Sequence, residues 1–220
     1  TVGLLEVTGV DLEGRRILVT PVGSEMTSFP YDYLVLATGV AQSYFGHDEI
    51  AKFAPGVKSL DDATAVRARV LRAFETAEME TDPSRHRDLL TFVLVGAGPS
   101  GVELAGALVE MTRMTLKSNF RRIDPTSARI ILIEGGPRIL PAFAEELSRK
   151  ADRRLRREGV EIRTGSTVEC IDENGVVVGG ERIQSRTVIW TAGVAPSPAG
   201  RWLNAPTDRA GRVRVQPDLT

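Results

Sequence analysis

Apolar and polar positions along the chain change period several times, and each change marks an element. Over residues 1–40, Leu4-Leu5-Glu6-Val7-Thr8, Arg16-Ile17-Leu18-Val19 and Tyr33-Leu34-Val35-Leu36-Ala37 are rich in strand formers. Gly and Asp separate them, which predicts β-structure closed by Thr38-Gly39. Residues 41–58 carry no period and read as irregular. Ser59 or Asp61 then caps a helix whose apolar positions Ala65, Val66, Ala68, Val70, Leu71 and Phe74 recur at helical spacing, and Asp82-Pro83 ends it before a linker.

The pattern changes again at Leu89–Val95, an apolar run of strand length. It enters Gly96-Ala97-Gly98-Pro99-Ser100-Gly101 directly, and helical spacing follows to about Leu116. Arg129–Glu134 reads as a second buried strand, Ala144–Glu158 as a helix and Val160–Arg163 as a third strand. The succession βαβαβ predicts an α/β fold with a Rossmann-like, doubly wound parallel sheet. Thr167–Ile171, Val176–Val178 and Arg182-Ile183 follow as a short antiparallel β-meander, with Asn174-Gly175 as its hairpin turn. Thr187–Thr191 returns as an apolar strand into Ala192-Gly193.

The glycine turn is where the pattern acquires chemistry. A pyrophosphate needs backbone N–H groups at a helix N-terminus, where the helix dipole favours negative charge and side chains would obstruct the approach. Gly96 permits the tight turn, Gly98 lets the backbone approach the phosphates, and Gly101 lets the helix pack on its strand; Pro99 and Ser100 complete the loop. A bare G-x-G-x-x-G is weak, but here a strand precedes it and a helix follows. The next strand ends in Glu134, a carboxylate suited to adenosine ribose hydroxyls and opposed to a 2′-phosphate, which favours NADH over NADPH. Glu134 lies farther on than the usual spacing of about 20 residues. Lys117–Ser127, polar and rich in breakers, accounts for this as an inserted loop. Arg138, just past the strand, reads as an adenine-stacking or solvated arginine.

Composition narrows the remaining classes. With 42% hydrophobic and 26% charged residues the chain has the make-up of a folded globular protein. A net charge of -1 gives no basic field for nucleic acid. Cys170 is the only cysteine, which allows no internal disulfide and no cysteine-rich metal site. No apolar run approaches the roughly 20 residues of a membrane-spanning helix. The chain begins at Thr1 and stops at Thr220 within extended-looking sequence, which suggests a piece of a longer protein.

Three segments carry a family resemblance: Tyr31-Asp32-Tyr33-Leu34-Val35-Leu36-Ala37-Thr38-Gly39, the turn from Gly96 to Glu103, and Ile189-Trp190-Thr191-Ala192-Gly193-Val194. Together they resemble the two-dinucleotide-fold flavoproteins of the pyridine nucleotide-disulfide oxidoreductase superfamily. Ser43-Tyr44-Phe45-Gly46-His47-Asp48-Glu49, Gly101-Val102-Glu103-Leu104-Ala105-Gly106 and Pro137–Phe143 narrow the likeness to the type II, non-proton-pumping NADH dehydrogenases. The resemblance implies hydride transfer from NADH to FAD and then two-electron reduction of a quinone, with the protein placing the nicotinamide against the flavin. It implies a β-rich remnant of the FAD domain over 1–45 and a connecting helix and linker over 46–88. An NADH-binding domain over 89–194 and a return segment over 195–220 complete the expected organisation. It also implies that the first FAD pyrophosphate turn, the later ribityl-binding segment and a membrane-docking C-terminal region lie outside this chain. The full-length protein is then expected on the cytoplasmic face of the inner membrane, and a homodimer is left open.

The same resemblance makes Glu103 a coupling residue near nicotinamide and flavin; the plain alternative is an acid in a helix's first turn. Thr38-Gly39 and Gly193 are expected beside the cofactors, where smallness gives them room. His47 reads as a structural histidine, Cys170 as packing or partly exposed, and the arginine-rich helix 144–158 as a solvated face. Ferredoxin, nitrite and disulfide reductases of the same architecture remain as rivals, as does a nucleotide-binding module without catalysis. An S-adenosylmethionine site shares the glycine turn but leaves the two crossover segments unexplained.

Overall fold

The computed structural model describes residues 3–21 and 25–218; Thr1 and Thr220 therefore lie outside the described residues. The chain divides into two compact units, Thr1–Ala41 with Val194–Thr220, and Gln42–Gly193.

In the first unit, β1 (Leu5–Asp11), β2 (Arg16–Pro21) and β3 (Thr27–Pro30) form an antiparallel sheet in sequence order. The segment Tyr33–Ala37, expected as a strand, is not one. A strand requires a neighbour to take its N–H and C=O groups, and no described strand pairs with it. Tyr33 is 97% and Val35 89% exposed. The strand at Thr27–Pro30 replaces it, with Ile17 opposite Phe29 and the Arg16 guanidinium donating to Ser28 Oγ and its carbonyl. Val40–Gln42 forms β4, which carries strand two residues into the stretch read as irregular.

The second unit is organised around one parallel sheet. After a 3₁₀ turn at Asp48–Lys52, helix α1 (Leu60–Met79) begins at Ser59. Ser59 and Asp62 close a reciprocal capping box, so the serine rather than Asp61 starts the helix. Asp82-Pro83, expected only as a stop, also starts α2 (Pro83–Leu89): Asp82 caps it through Ser84 N–H and Pro83 occupies a first-turn position. This helix takes Leu89 out of the apolar run, and β5 is Thr91–Val95. Helix α3 covers Pro99–Glu110 and continues as a π-helical turn, Met111–Thr115, instead of running to Leu116 as one helix.

The expected insertion is a loop, tied down by Glu78, whose carboxylate accepts the N–H groups of Arg121, Arg122 and Ile123 at 3.0, 2.9 and 3.2 Å. Strand β6 is Arg129–Ile133, α4 is Glu145–Arg157 and β7 is Val160–Arg163. Three basic residues of α4 form i,i+4 pairs with acids of the same helix, Arg149 with Glu145, Lys150 with Glu146 and Arg156 with Asp152, as suits a solvated face.

Strands β8 (Val168–Asp172), β9 (Gly175–Val178) and β10 (Glu181–Gln184) make the meander, and β11 (Thr187–Trp190) rejoins the parallel sheet. Asp172 pairs with Gly175, so the hairpin turn is Glu173-Asn174, one residue earlier than expected. The Asp172 carboxylate accepts Asn174 N–H at 2.8 Å and sets that turn. Gly175 is fixed at φ +131°, where a Cβ would lie 2.1 Å from the Ile183 carbonyl.

The parallel sheet has the order β11-β5-β6-β7. Alternation along its strands divides the core. Phe92, Leu94, Ile130, Leu132 and Ile189 pack with residues of α1, α3 and α4, such as Phe74, Leu108 and Leu155. Val93, Val95, Ile131 and Ile133 point to the other face and pack with Ile171, Val176 and Ile183 of the meander. The fold is α/β as expected, with the meander covering the face that helices cover in a fully doubly wound sheet. Both buried clusters belong to the second unit. The chain re-enters the first unit as β12 (Val194–Pro196), paired with β4, and α5 (Ala199–Trp202). No helix among the described residues is long and apolar enough to cross a membrane.

Candidate functional site

The parallel sheet ends, at the carboxyl ends of β5, β6 and β11, in a cleft of about 380 Å³. In open α/β sheets this edge is where ligands bind, because loops there diverge to opposite sides.

The three glycines of the turn have different surroundings. Gly96 sits at φ +108°, and a Cβ on it would lie 2.5 Å from Ala192 N, so only glycine makes this turn. Gly101 faces the strand: an added Cβ would lie 1.9 Å from the Gly96 carbonyl and 2.8 Å from Thr191 Oγ1. Gly98 is the opposite case, with nothing within 4 Å of its missing side chain. It lines the cleft and is the N-cap of α3, with no side chain capping the helix. Helix α1, by contrast, has its Ser59 side chain turned onto the Asp62 N–H by its own capping box. The α3 N-terminus thus offers backbone donors and the positive end of a dipole to a space that Gly98 keeps open.

Glu134 closes the other side of the turn. Its Oε2 accepts Ala97 N–H and its Oε1 accepts Gly136 N–H, both at 2.8 Å, which ties the glycine turn to the loop after β6. Each carboxylate oxygen retains a second lone pair, so the residue that braces the loop can still accept from a hydroxyl. Arg138, half-buried, also has a structural part: its guanidinium donates to the carbonyls of Leu140, Pro141 and Phe143 at 3.1, 2.7 and 3.0 Å and holds the 137–143 loop together. Leu140, in a left-handed conformation at φ 48°, donates its N–H to the Ala97 carbonyl and supports the turn from below.

A family model for pyridine nucleotide-disulphide oxidoreductases matches residues 2–220. The chain belongs to that family. The type II NADH:quinone oxidoreductase Ndh of Mycobacterium tuberculosis is 47% identical over 223 residues, covering 97% of this chain and 48% of the relative. NdhA of the same organism, a type II NADH:quinone oxidoreductase, is 46% identical over 98% of this chain and 48% of its own length. The chain spans about half the length of the curated relatives it matches. The solved structure of NDH2 from Plasmodium falciparum in complex with NADH superposes with a TM-score of 0.81 at 24% identity, over 92% of this chain and 43% of that one, a likeness of fold. These relatives are of the group that the sequence resembles.

In this family member the remaining sequence-predicted residues fall in three places. Gly193 joins the glycine cleft, at φ +69°. Thr38 and Gly39 belong to the first unit, where Thr38 Oγ1 lies 2.5 Å from Ser197 Oγ and Gly39 is at φ +66° with open space where a Cβ would be. Glu103 is exposed and lines another cavity, an apolar groove of about 420 Å³ between α1 and α3, together with Ser100, Val66 and Met111. It also lies past the first turn of α3, which contains no acid, so the dipole alternative does not describe it.

His47 is a surface residue 3.4 Å from Glu49, not an internally satisfied one, and Cys170 is exposed. Sequence reasoning assigned no role to Gln42, Phe45, Trp190 or Thr191. The Gln42 amide donates to the carbonyls of Ala192 and Gly193 at 2.7 and 2.9 Å, and Trp190 Nε1 donates to the Ser43 carbonyl at 2.9 Å. Thr191 Oγ1 lies 2.6 Å from the Gly96 carbonyl and 2.9 Å from that of Val95. The signals in the sequence were the resemblance segments that contain three of them, Ser43–Glu49 with Phe45 and Ile189–Val194 with Trp190 and Thr191; Gln42 stood in neither.

Proposed function

We propose that this chain carries the NADH site of a flavin-dependent NADH:quinone oxidoreductase. The observation that carries the reading is Gly98: an open glycine at an uncapped helix N-terminus, inside the cleft, where a pyrophosphate meets backbone donors without obstruction. Gly96, Pro99, Ser100 and Gly101 shape that turn, and Glu134 takes the adenosine ribose and disfavours a 2′-phosphate. Gly193 lies on the side toward the nicotinamide. The names of the curated relatives specify NADH and quinone, and identity of 46–47% across nearly all of this chain supports the same substrates.

FAD, when bound, would supply the hydride acceptor and the electron relay to quinone. The small, open Thr38-Gly39 segment fits a position beside that cofactor, and Glu103, on the exposed face of α3, is the proposed coupling residue of the nicotinamide domain. Quinone reduction at the cytoplasmic face of the inner membrane, with the membrane contact in the part of the relatives' length that this chain does not span, completes the reading; a homodimer is its proposed assembly.

Calorimetric titration of the 220-residue chain tests the site directly. NADH binds more tightly than NADPH, and the purified chain carries no stoichiometric flavin; tighter NADPH binding or copurifying flavin refutes these assignments. The acceptor is tested on a chain extended to the relatives' full length, mixed anaerobically with NADH and then quinone while flavin absorbance is followed. Reduction by NADH without reoxidation by quinone overturns the choice of acceptor.

A further inference from the structure

Two adjacent aromatic residues enter the second unit in opposite roles. Tyr44 packs against the meander-side core, its ring centroid 5.5 Å from that of Trp190 and its hydroxyl donating to the Ala54 carbonyl at 3.1 Å. Burial pushes its phenol up from the ordinary value, as expected of a ring committed to the interior. Phe45 is turned outward. It is 67% exposed and lines the glycine cleft.

Its placement is specific. Phe45 adopts φ 55°, in the left-handed region that a bulky residue rarely occupies, and Gly46 follows at φ 91°. This reversal lays the ring against Gly193, where an added Cβ would meet Phe45 Cζ at 2.8 Å. Trp190 packs against it in a T-shaped contact, with centroids 6.2 Å apart at 64°. Trp190 is itself anchored through its indole N–H, and Gly193 through the Gln42 amide. An exposed aromatic ring in a strained backbone, braced by two anchored neighbours and opening on a ligand cleft, is a built surface.

Sheet order identifies what reaches it. Glu134 follows β6, the glycine turn follows β5, and Gly193 follows β11, so these three markers cross the sheet edge in sequence. A dinucleotide with its adenosine ribose at Glu134 and its pyrophosphate at Gly98 extends its other end toward β11. We infer that Phe45 stacks on the nicotinamide end of the bound dinucleotide and provides an aromatic wall for the nicotinamide ring. The inference rests on the dinucleotide reading of the cleft and adds a residue and a subsite to it. Phe45 has only a hydrocarbon face to offer, which suits a flat heteroaromatic ring and gives nothing to a phosphate or ribose.

The test compares NADH with ADP-ribose, which keeps the adenosine, the pyrophosphate and a ribose but lacks the nicotinamide. In calorimetric titrations of the 220-residue chain, Phe45→Ala weakens NADH binding about tenfold and leaves ADP-ribose binding unchanged, while Phe45→Tyr restores NADH binding. Thermal unfolding of each variant separates loss of the ring from loss of the fold. Equal weakening of both ligands makes Phe45 only a loop-shaping residue and overturns the proposal, as does no weakening of either. If the unaltered chain binds ADP-ribose as tightly as NADH, the nicotinamide subsite fails while the dinucleotide cleft stands. If it binds neither, the dinucleotide reading itself fails and the proposal falls with it.

Discussion

Two glycines in one turn should separate stability from binding. Gly98→Ala adds a methyl group where nothing lies within 4 Å, at a residue with an ordinary φ of -71°. Its effect on the fold combines two small opposed terms, a gain from the less flexible unfolded chain and a loss from alanine being a poorer N-cap than glycine, and should stay within about 1 kcal/mol. The methyl group occupies the approach to the α3 N-terminus, so NADH affinity should fall by at least about tenfold.

Gly101→Ala puts its methyl 1.9 Å from the Gly96 carbonyl, which is backbone at the end of a buried strand and cannot swing aside. An ordinary contact of about 3.5 Å requires α3 to move by about 1.5 Å, which pulls Ala105 and Leu108 out of the core they share with the sheet. The expected cost is about 3 kcal/mol, the upper range for overpacking, or roughly 6–12 °C in Tm for a unit of this size. Thermal unfolding and NADH calorimetry on both variants decide the matter. The reasoning is refuted if Gly98→Ala loses as much stability as Gly101→Ala, or if it binds NADH like the unaltered chain.

Further consequences concern the groups around that turn. Glu134→Ala strands the amides of Ala97 and Gly136 and, on the proposed reading, removes the carboxylate that disfavours a 2′-phosphate. It should cost about 1–3 kcal/mol and shift the NADPH-to-NADH affinity ratio upward, read by unfolding and paired titrations; an unchanged ratio argues against Glu134 as the discriminating residue. Gln42→Ala removes the donors to the Ala192 and Gly193 carbonyls and should speed amide exchange across 191–193, measured by hydrogen–deuterium exchange, while β7 is unaffected. Asp172 is lowered to about 2 by its hydrogen bonds with the Arg182 guanidinium and the Asn174 N–H. Its folded value lies below the unfolded one near 3.9, so its stabilisation is present above about pH 4 and is lost as pH falls toward 2. Asp172→Asn should flatten the acid limb of the stability profile, and an acid limb identical to that of the unaltered chain would show that this carboxylate contributes nothing.

Much of the second unit was legible in the chain because its signals are local. Strand β5 stands out by its apolarity, α1 by its period and its Ser59 cap, and the glycine turn by a spacing in which Gly96 meets a conformational requirement, Gly101 a close approach and Gly98 an open space. The misreadings also have local causes. Asp82-Pro83 stops one helix and starts another with the same chemistry, and Asn174-Gly175 resembles a hairpin turn although Asp172 sets it one residue earlier. Tyr33–Ala37 has the composition of a strand, but pairing is not a property of a segment alone.

What the sequence by itself determined was the α/β class, the order of the parallel strands' elements, and the placing of Gly96, Gly98 and Gly101 in a turn between strand and helix with Glu134 at the end of the next strand, the turn proposed to hold the dinucleotide. Periodicity and glycine are requirements of the backbone, readable residue by residue. Only the tertiary structure decided that Glu134 also braces the turn it serves, that Arg138 is consumed by carbonyls, that Glu103 faces a groove beside α1 rather than the glycine cleft, and that Phe45 and Gln42 converge on Gly193. Each of these depends on contacts between segments far apart in the chain, and the distances that make a hydrogen bond or a wall exist only once the sheet has brought its strand ends to one edge.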